Sequence, residues 1–301
     1  MSLIKLVKAS RIVQSSKAEI NAVLEEAVSG AEPEVKRVYH NWRQTSRFST
    51  VAWCGLVAKQ FYELEGKDLD TFSRAKAYIA SATACLADDL IDNYRQQNPR
   101  EAYFLDNRAH KPTREGVEKN LFYQLNAILQ NLLPADFQTR FGGLIQRYNI
   151  AQAESRDLDQ ASPEKVVRIK DATGGYPFLL LYKILFSETA FDEGFNPDYN
   201  PKRGKLPITK SGAIFNFGAM VSRLDDLSDI RLDKLAGKKS LVSEGFTSWG
   251  KISRDIEFVR AGFNRFYPST NVENVMGFYS PRALQFATAV NNAISRVRGE
   301  I

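Results

Sequence analysis

Two short acidic runs carry the residue types and spacing most able to do chemistry. Asp88, Asp89 and Asp92 stand in Ala-Asp-Asp-Leu-Ile-Asp-Asn, and Asp225, Asp226 and Asp229 in Leu-Asp-Asp-Leu-Ser-Asp-Ile. Each is an Asp-Asp-x-x-Asp pattern inside an otherwise apolar run. On a helix, residues four apart share a face, so Asp88 stacks on Asp92 with Asp89 beside them. The second column continues through Asp225, Asp229 and Asp233. Like charges at that interval destabilise a helix, and carboxylates beside a core are costly without counter-ions. Two such faces turned to one cavity would hold hard divalent cations. Magnesium usually takes one or two carboxylates plus substrate phosphates, so the expected ligand is a diphosphate. The competing reading is a pair of solvated acidic helix faces. Residues 78–87 and 213–221, which lead into the two motifs, are too apolar for that and favour a shared metal site.

Composition narrows the class. The chain has 301 residues, 44% hydrophobic and 25% charged, enough for one large core or two small ones. Its 41 Lys and Arg against 35 Asp and Glu give a formal charge of +6. The excess is spread out, and no dense basic run interleaved with aromatics marks a nucleic-acid surface. Cys54 and Cys85, the two cysteines, sit in apolar helical surroundings and suggest neither zinc nor a disulfide framework. His40 and His110 are too far apart in sequence to suggest a ligand pair. No apolar run reaches the length of a membrane span, and the N-terminus does not read as a signal peptide. The expectation is a soluble, cytoplasmic protein without stable membrane insertion, for which a homodimer is compatible.

Helical periodicity runs from end to end, and no alternating strand pattern, internal repeat or linker interrupts it. Helices are expected over 16–28, 33–42, 47–64 (closed by Gly66), 70–95, 113–132 and 135–155. Ser162-Pro163-Glu164 opens another, with a cap, proline at the first helical position and an early acid. Gly174, Gly175 and Pro177 are expected to break or kink that helix and to turn it toward a cavity. A long helix over 209–235 delivers the second aspartate column, and helices over 252–266 and 282–298 finish the chain. Residues 96–112 and 190–207 read as loops, the first a candidate lid beside the first motif. The fold class is all-α, organised as one domain over 1–301.

The second motif resembles that of a known family. Phe217-Gly218, Asp225-Asp226-x-x-Asp229, Asp233 and Gly237-Lys238 are similar to the second signature of trans-isoprenyl diphosphate synthases. Asp88, Asp89 and Asp92 match their first aspartate signature, and Lys170 before Thr173-Gly174 resembles their intervening lysine region. The likeness spans about residues 47–240. It implies the isoprenoid synthase fold of class I terpenoid synthases: a helical bundle around a deep apolar cavity, with three magnesium ions at its mouth. It further implies Asp88, Asp92, Asp225 and Asp229 as metal ligands, with Asp89 and Asp226 as ligands or their support. Lys170 and Lys238 would bind diphosphate oxygens, although Lys238 could equally complement a helix C-terminus. Magnesium and these cations would make diphosphate a leaving group, giving an allylic carbocation.

The departures from that family direct the reading. Its upstream Gly-Gly-Lys-x-x-Arg motif, which holds isopentenyl diphosphate, is replaced here by Thr45-Ser46-Arg47-Phe48-Ser49, with Arg47 the one cation. The Arg-Arg-Gly after the first motif is absent, with Arg95 and Arg100 imperfect substitutes. A second diphosphate would meet too few partners. The leading expectation is therefore a magnesium-dependent class I terpene synthase acting on one prenyl diphosphate. The alternatives are a prenyltransferase joining an allylic diphosphate to isopentenyl diphosphate or another acceptor, and a non-catalytic helical subunit. Thr83 and Ala84 are small where bulky aromatics shorten the cavity in such synthases, which suggests a prenyl chain of C15 or longer. Phe217 is expected at the pocket.

Overall fold

The computed structural model describes residues 17–45, 47–93, 105, 117–155, 158, 161–187, 206–207, 209–228 and 248–279. All regular structure among them is helical. In chain order the helices are α1 (17–27), α2 (Pro33–Trp42), α3 (Arg47–Leu64), α4 (Thr71–Asn93) and α5 (Val117–Asn131). They continue with α6 (Phe137–Glu154), α7 (Pro163–Leu185), α8 (Lys210–Ser228), α9 (Trp249–Phe263) and α10 (Ser269–Met276), the last followed by a 3₁₀ turn at Gly277–Tyr279.

Local chemistry accounts for the ends. Gly66 takes φ +65°, the left-handed conformation that glycine reaches without strain, and closes α3. The Lys67 N–H then bonds the Tyr62 carbonyl at 2.9 Å, satisfying an orphan of the last turn. Asp70 caps α4 by accepting the Ser73 N–H and hydroxyl, each at 2.8 Å, and Tyr62 donates to that hydroxyl at 2.6 Å. The Ser73 backbone and side-chain donors hold the Asp70 carboxyl below the usual range. Ser162 accepts the Lys165 N–H at 3.3 Å at the head of α7, with Pro163 in the first helical position.

α7 corrects one half of an expectation: of the break or kink, the break does not occur, and the helix runs from Pro163 to Leu185 with Pro177 inside it. Pro177 lacks one backbone donor, a loss the surrounding packing tolerates. The two glycines serve a neighbour instead of a break. A Cβ on Gly174 would run into Ser222 and stand 2.8 Å from the Gly218 carbonyl; one on Gly218 would meet the Gly174 carbonyl and Phe178. Gly175 in turn lies under the Phe215 ring. The absent side chains let α7 and α8 approach backbone to backbone, and theirs is the most extensive helix–helix contact among the described elements. The pairing is antiparallel, since 171, 174 and 175 meet 223, 218–222 and 215 in turn.

Two apolar clusters flank this pair. One joins α1, α2, α4, α5 and α6 with the start of α3 and one face of α7. The other joins the end of α3 to α7, α8, α9 and α10 around Phe217. Phe217 is fully buried, with Phe178, Phe263 and Tyr279 ring centroids at 5.5, 5.5 and 5.2 Å. The short helix α10, absent from the sequence reading, supplies Val272, Val275 and Met276 to this cluster. No described helix is long and apolar enough to cross a membrane. The expected loops at 96–112 and 190–207 lie outside the described residues, except Leu105, Leu206 and Pro207; the expected helix over 282–298 lies wholly outside them. Leu105 is buried at φ +55°, its N–H bonded to Asn126 and its carbonyl to Gln138.

Two outcomes test this account. Gly218→Ala should lower the free energy of urea unfolding by about 1–3 kcal/mol through overpacking. Gly142→Ala, in α6 with nothing within 4 Å of its would-be Cβ, should raise it by about 0.5–1 kcal/mol. Equal effects would refute close packing as the role of Gly218. Because the folded carboxyl of Asp70 titrates low, its contribution is present above the unfolded carboxylate pKa. It is lost as pH falls through the folded value. Asp70→Ala should therefore flatten the acid limb of the stability–pH curve measured by denaturant titration.

Candidate functional site

A cavity of about 200 Å³ opens between α3, α4, α6 and α7. Its wall on α4 is a column of residues at four-residue intervals, Ala80, Ala84 and Asp88, beside Ser81 and Cys85. α3 adds Thr50, Cys54 and Val57; α6 adds Tyr148 and Gln152; α7 adds Pro177, Phe178, Leu180, Leu181 and Ile184. Small residues on α4 leave the space, and apolar residues on α7 close it. Among the described residues, Asp88 brings the one carboxylate to this wall.

The polar groups of the wall are tied to each other. Burial pushes the Tyr148 hydroxyl well above its ordinary pKa, the nearby Asp88 carboxylate and the Cys85 and Cys54 side chains push it further, and a hydrogen bond with Gln152 opposes them. Tyr148 thus stays a neutral phenol at any physiological pH. Burial likewise raises the Cys54 thiol, against a hydrogen bond with Ser81. Ser81 itself donates to the Ala77 carbonyl at 2.7 Å. The cysteines, isolated in the sequence, face one cavity. The signal that could have placed Cys85 there was its position three residues before Asp88 on the same helix.

The aspartates are distributed over distinct surroundings. Asp88 is half-buried at the cavity. Asp89 accepts the Trp42 indole N–H at 3.3 Å and so faces α2. On α8, Asp225 is exposed, whereas Asp226 is 8% exposed and lies 3.4 Å from the Lys170 ammonium of α7. The structure therefore brings Lys170 to the second motif. α8 contributes none of the described residues that line the cavity. The side chains of Arg47 and Asp92, and all of Arg95, Arg100, Asp229, Asp233, Gly237 and Lys238, lie outside the described residues.

The three residues expected at the pocket separate. Ala84 lines the cavity. Thr83 is fully buried and donates its hydroxyl to the Ile79 carbonyl at 2.7 Å, back along its own helix. Phe217 sits at the centre of the second apolar cluster.

A largely buried ion cluster next to Lys170 was not anticipated. Arg223 of α8 makes a bidentate pair with Asp171 of α7, at 2.8 and 2.6 Å, and a further bond to Asp255 of α9 at 2.7 Å. Burial alone would lower the Arg223 pKa, but the two carboxylates more than offset it and hold the guanidinium above its ordinary value. The sequence signal was a cation inside the apolar run before the second motif, with an acid next to Lys170.

Carboxylate oxygens are the ligand type magnesium takes, and the chemistry of this donor set fits it. No group of three or more His, Cys, Asp or Glu placed to hold an ion occurs among the described residues. Magnesium does not require one, since it commonly takes one or two carboxylates and completes its shell with water and substrate phosphate. Comparison of the chain with protein families, with curated proteins and with solved structures finds no match in any of the three.

With its thiol held up by burial, Cys54 should alkylate more slowly with iodoacetamide at pH 8 in the folded protein than in urea. An apolar ligand that fills the cavity should slow it further, as read by mass spectrometry. Equal rates in all three conditions would remove Cys54 from the cavity wall.

Proposed function

We propose that the protein is a magnesium-dependent class I terpene synthase that ionises one prenyl diphosphate, and that it belongs to the isoprenoid synthase superfamily. The observation that carries the reading is Asp88, a carboxylate in the wall of a cavity otherwise lined mainly by apolar side chains. A ligand suited to that wall has a hydrocarbon body and an anionic head bridged to carboxylates by cations. The second support is Lys170 beside Asp226, a cation and a carboxylate at the second motif.

Asp88, Asp92, Asp225 and Asp229 would hold magnesium, which when bound supplies charge neutralisation to the leaving diphosphate. Lys170 would add charge-assisted hydrogen bonds to diphosphate oxygens. The carbon–oxygen bond breaks, diphosphate leaves with the electron pair, and the allylic cation remains against the α4 and α7 walls. Those walls offer Ala80, Ala84, Leu180, Leu181 and Ile184 as inert contacts, beside the Ser81 hydroxyl, which is donated to the Ala77 carbonyl, and the Cys85 thiol. Excluding water there delays quenching and leaves time for ring closure.

Volume bears on chain length. A cavity of about 200 Å³ is below the roughly 300–1,000 Å³ of sites for drug-sized ligands. A chain of C15 or longer would therefore extend beyond the cavity or move its wall on binding. Ala84, on the lining column, is the position from which a larger side chain would reach into this space.

The test is incubation of the purified protein with magnesium and geranyl, farnesyl or geranylgeranyl diphosphate, each with and without isopentenyl diphosphate. Released diphosphate and organic products are both measured. A hydrocarbon or alcohol from a single diphosphate is expected. A longer diphosphate formed only with isopentenyl diphosphate would make the protein a chain-elongating prenyltransferase; no magnesium-dependent release would make it non-catalytic. Asp88→Ala and Asp225→Ala should each reduce turnover by on the order of 100-fold or more, with circular dichroism unchanged. Full activity in both would sink the metal assignment.

A further inference from the structure

Arg223 and Lys170 form two rungs between the same pair of helices. Arg223 reaches Asp171, and Lys170, its immediate neighbour in sequence, reaches Asp226, three residues after Arg223. The rungs differ in kind. The Arg223 rung is bidentate, with side chains 12% and 11% exposed, and a further bond to Asp255 extends it to α9. A planar guanidinium with two parallel bonds fixes orientation as well as distance. The Lys170 rung is a single contact at 3.4 Å, longer than an ordinary charge-assisted hydrogen bond, from a flexible side chain. Such a contact does not by itself fix orientation.

We infer that Arg223 is a positioning residue for the second aspartate motif: its fork to Asp171 and Asp255 sets the register in which Asp226 meets Lys170, and thereby the charge that this motif presents to a diphosphate. The diphosphate half of this inference rests on the function proposed above; the pairing half does not. Without Arg223, Asp171 would lose its bidentate cationic partner, with Lys170 next to it in sequence. Lys170 would then be drawn off Asp226, itself 8% exposed. The competing role is a plain cross-link of α7, α8 and α9, in which case replacing Arg223 costs stability and leaves the Lys170–Asp226 interaction as it was.

A double-mutant cycle separates the two. Lys170→Met and Asp226→Asn are made singly and together, and urea unfolding gives their coupling. The cycle is repeated in an Arg223→Lys background, which keeps the charge but not the fork. It is repeated again in an Arg223→Met, Asp171→Asn, Asp255→Asn background, which leaves no buried carboxylate unpaired. The expected coupling in the wild-type background is about 2- to 100-fold in the unfolding equilibrium constant. It should shrink toward unity in both altered backgrounds. Coupling absent from the wild type, or undiminished in either altered background that folds, overturns the inference.

Calorimetric binding of inorganic diphosphate in magnesium is the second arm. Arg223→Lys should weaken it by on the order of 10-fold, at a temperature where the variant is fully folded. Unchanged affinity alongside a collapsed coupling would overturn the diphosphate half. A wild-type protein that binds no diphosphate would instead refute the proposed function, with the cycle still deciding the role of Arg223.

Discussion

The close approach of α7 and α8 is the constraint on which the rest of the structure depends. Two long helices ordinarily stand 8–10 Å apart because side chains separate them. Here Gly174, Gly175 and Gly218 remove that separation at one crossing, and Ser222 and the Phe215 ring fill what remains. Either side of the crossing, larger groups can then meet at short range. Toward the start of α7, the charged rungs of Lys170 and Asp171 form; toward its end, Phe178 packs on Phe217 and Phe61. A side chain at Gly218 would push the helices apart and disturb charge and core together.

That arrangement explains how a chain with two acidic motifs avoids the cost of burying them. Each described carboxylate near the interior has its own kind of surroundings. Asp89 receives an indole N–H, Asp226 an ammonium, Asp171 and Asp255 a shared guanidinium. Asp88 alone of the described motif residues faces the cavity. Asp225 is exposed to solvent. Asp88 at the cavity and Asp225 at the surface are among the residues that the family resemblance implies as metal ligands, and Asp89 and Asp226, which meet the Trp42 indole and the Lys170 ammonium, are among those it implies as ligands or their support.

Much of the fold was legible because its signals are local. Pro33, Gly66, Asp70 and Ser162 announce helix ends through backbone chemistry that acts within a few residues, and the helices begin or stop there. What was not legible depends on partners far away in the chain. Gly174-Gly175-Pro177 reads as a break or kink when only its own helix is considered, yet α8 makes the same glycines a packing surface. Thr83 and Ala84 are equivalent as small residues, and only the rotation of α4 decides that Ala84 lines the cavity while Thr83 bonds back to Ile79. Phe217, expected at a pocket, is surrounded by four aromatic rings from α3, α7, α9 and the 3₁₀ turn. Arg223 sat unremarked beside the motif it braces, because an arginine in an apolar run gains meaning only once Asp171 and Asp255 are seen facing it.

The cavity itself follows from the same division of labour. α7 has one face for α8 and another for the cavity, and Phe178 belongs to both, touching Phe217 and Gly218 on one side and lining the cavity on the other. Pro177 lies beside it in the wall, at the point where a proline removes a backbone donor and so weakens one rung of the helix ladder. The α7 wall is therefore rigid where glycines lock it to α8 and least braced by its own hydrogen bonds near Pro177. α4, opposite, carries only small groups on its lining column above Asp88. On the function proposed, a long chain would lie against the turn of Pro177 and Phe178 while Lys170, on an earlier turn, would meet the diphosphate, so that one helix would serve both ends of the ligand.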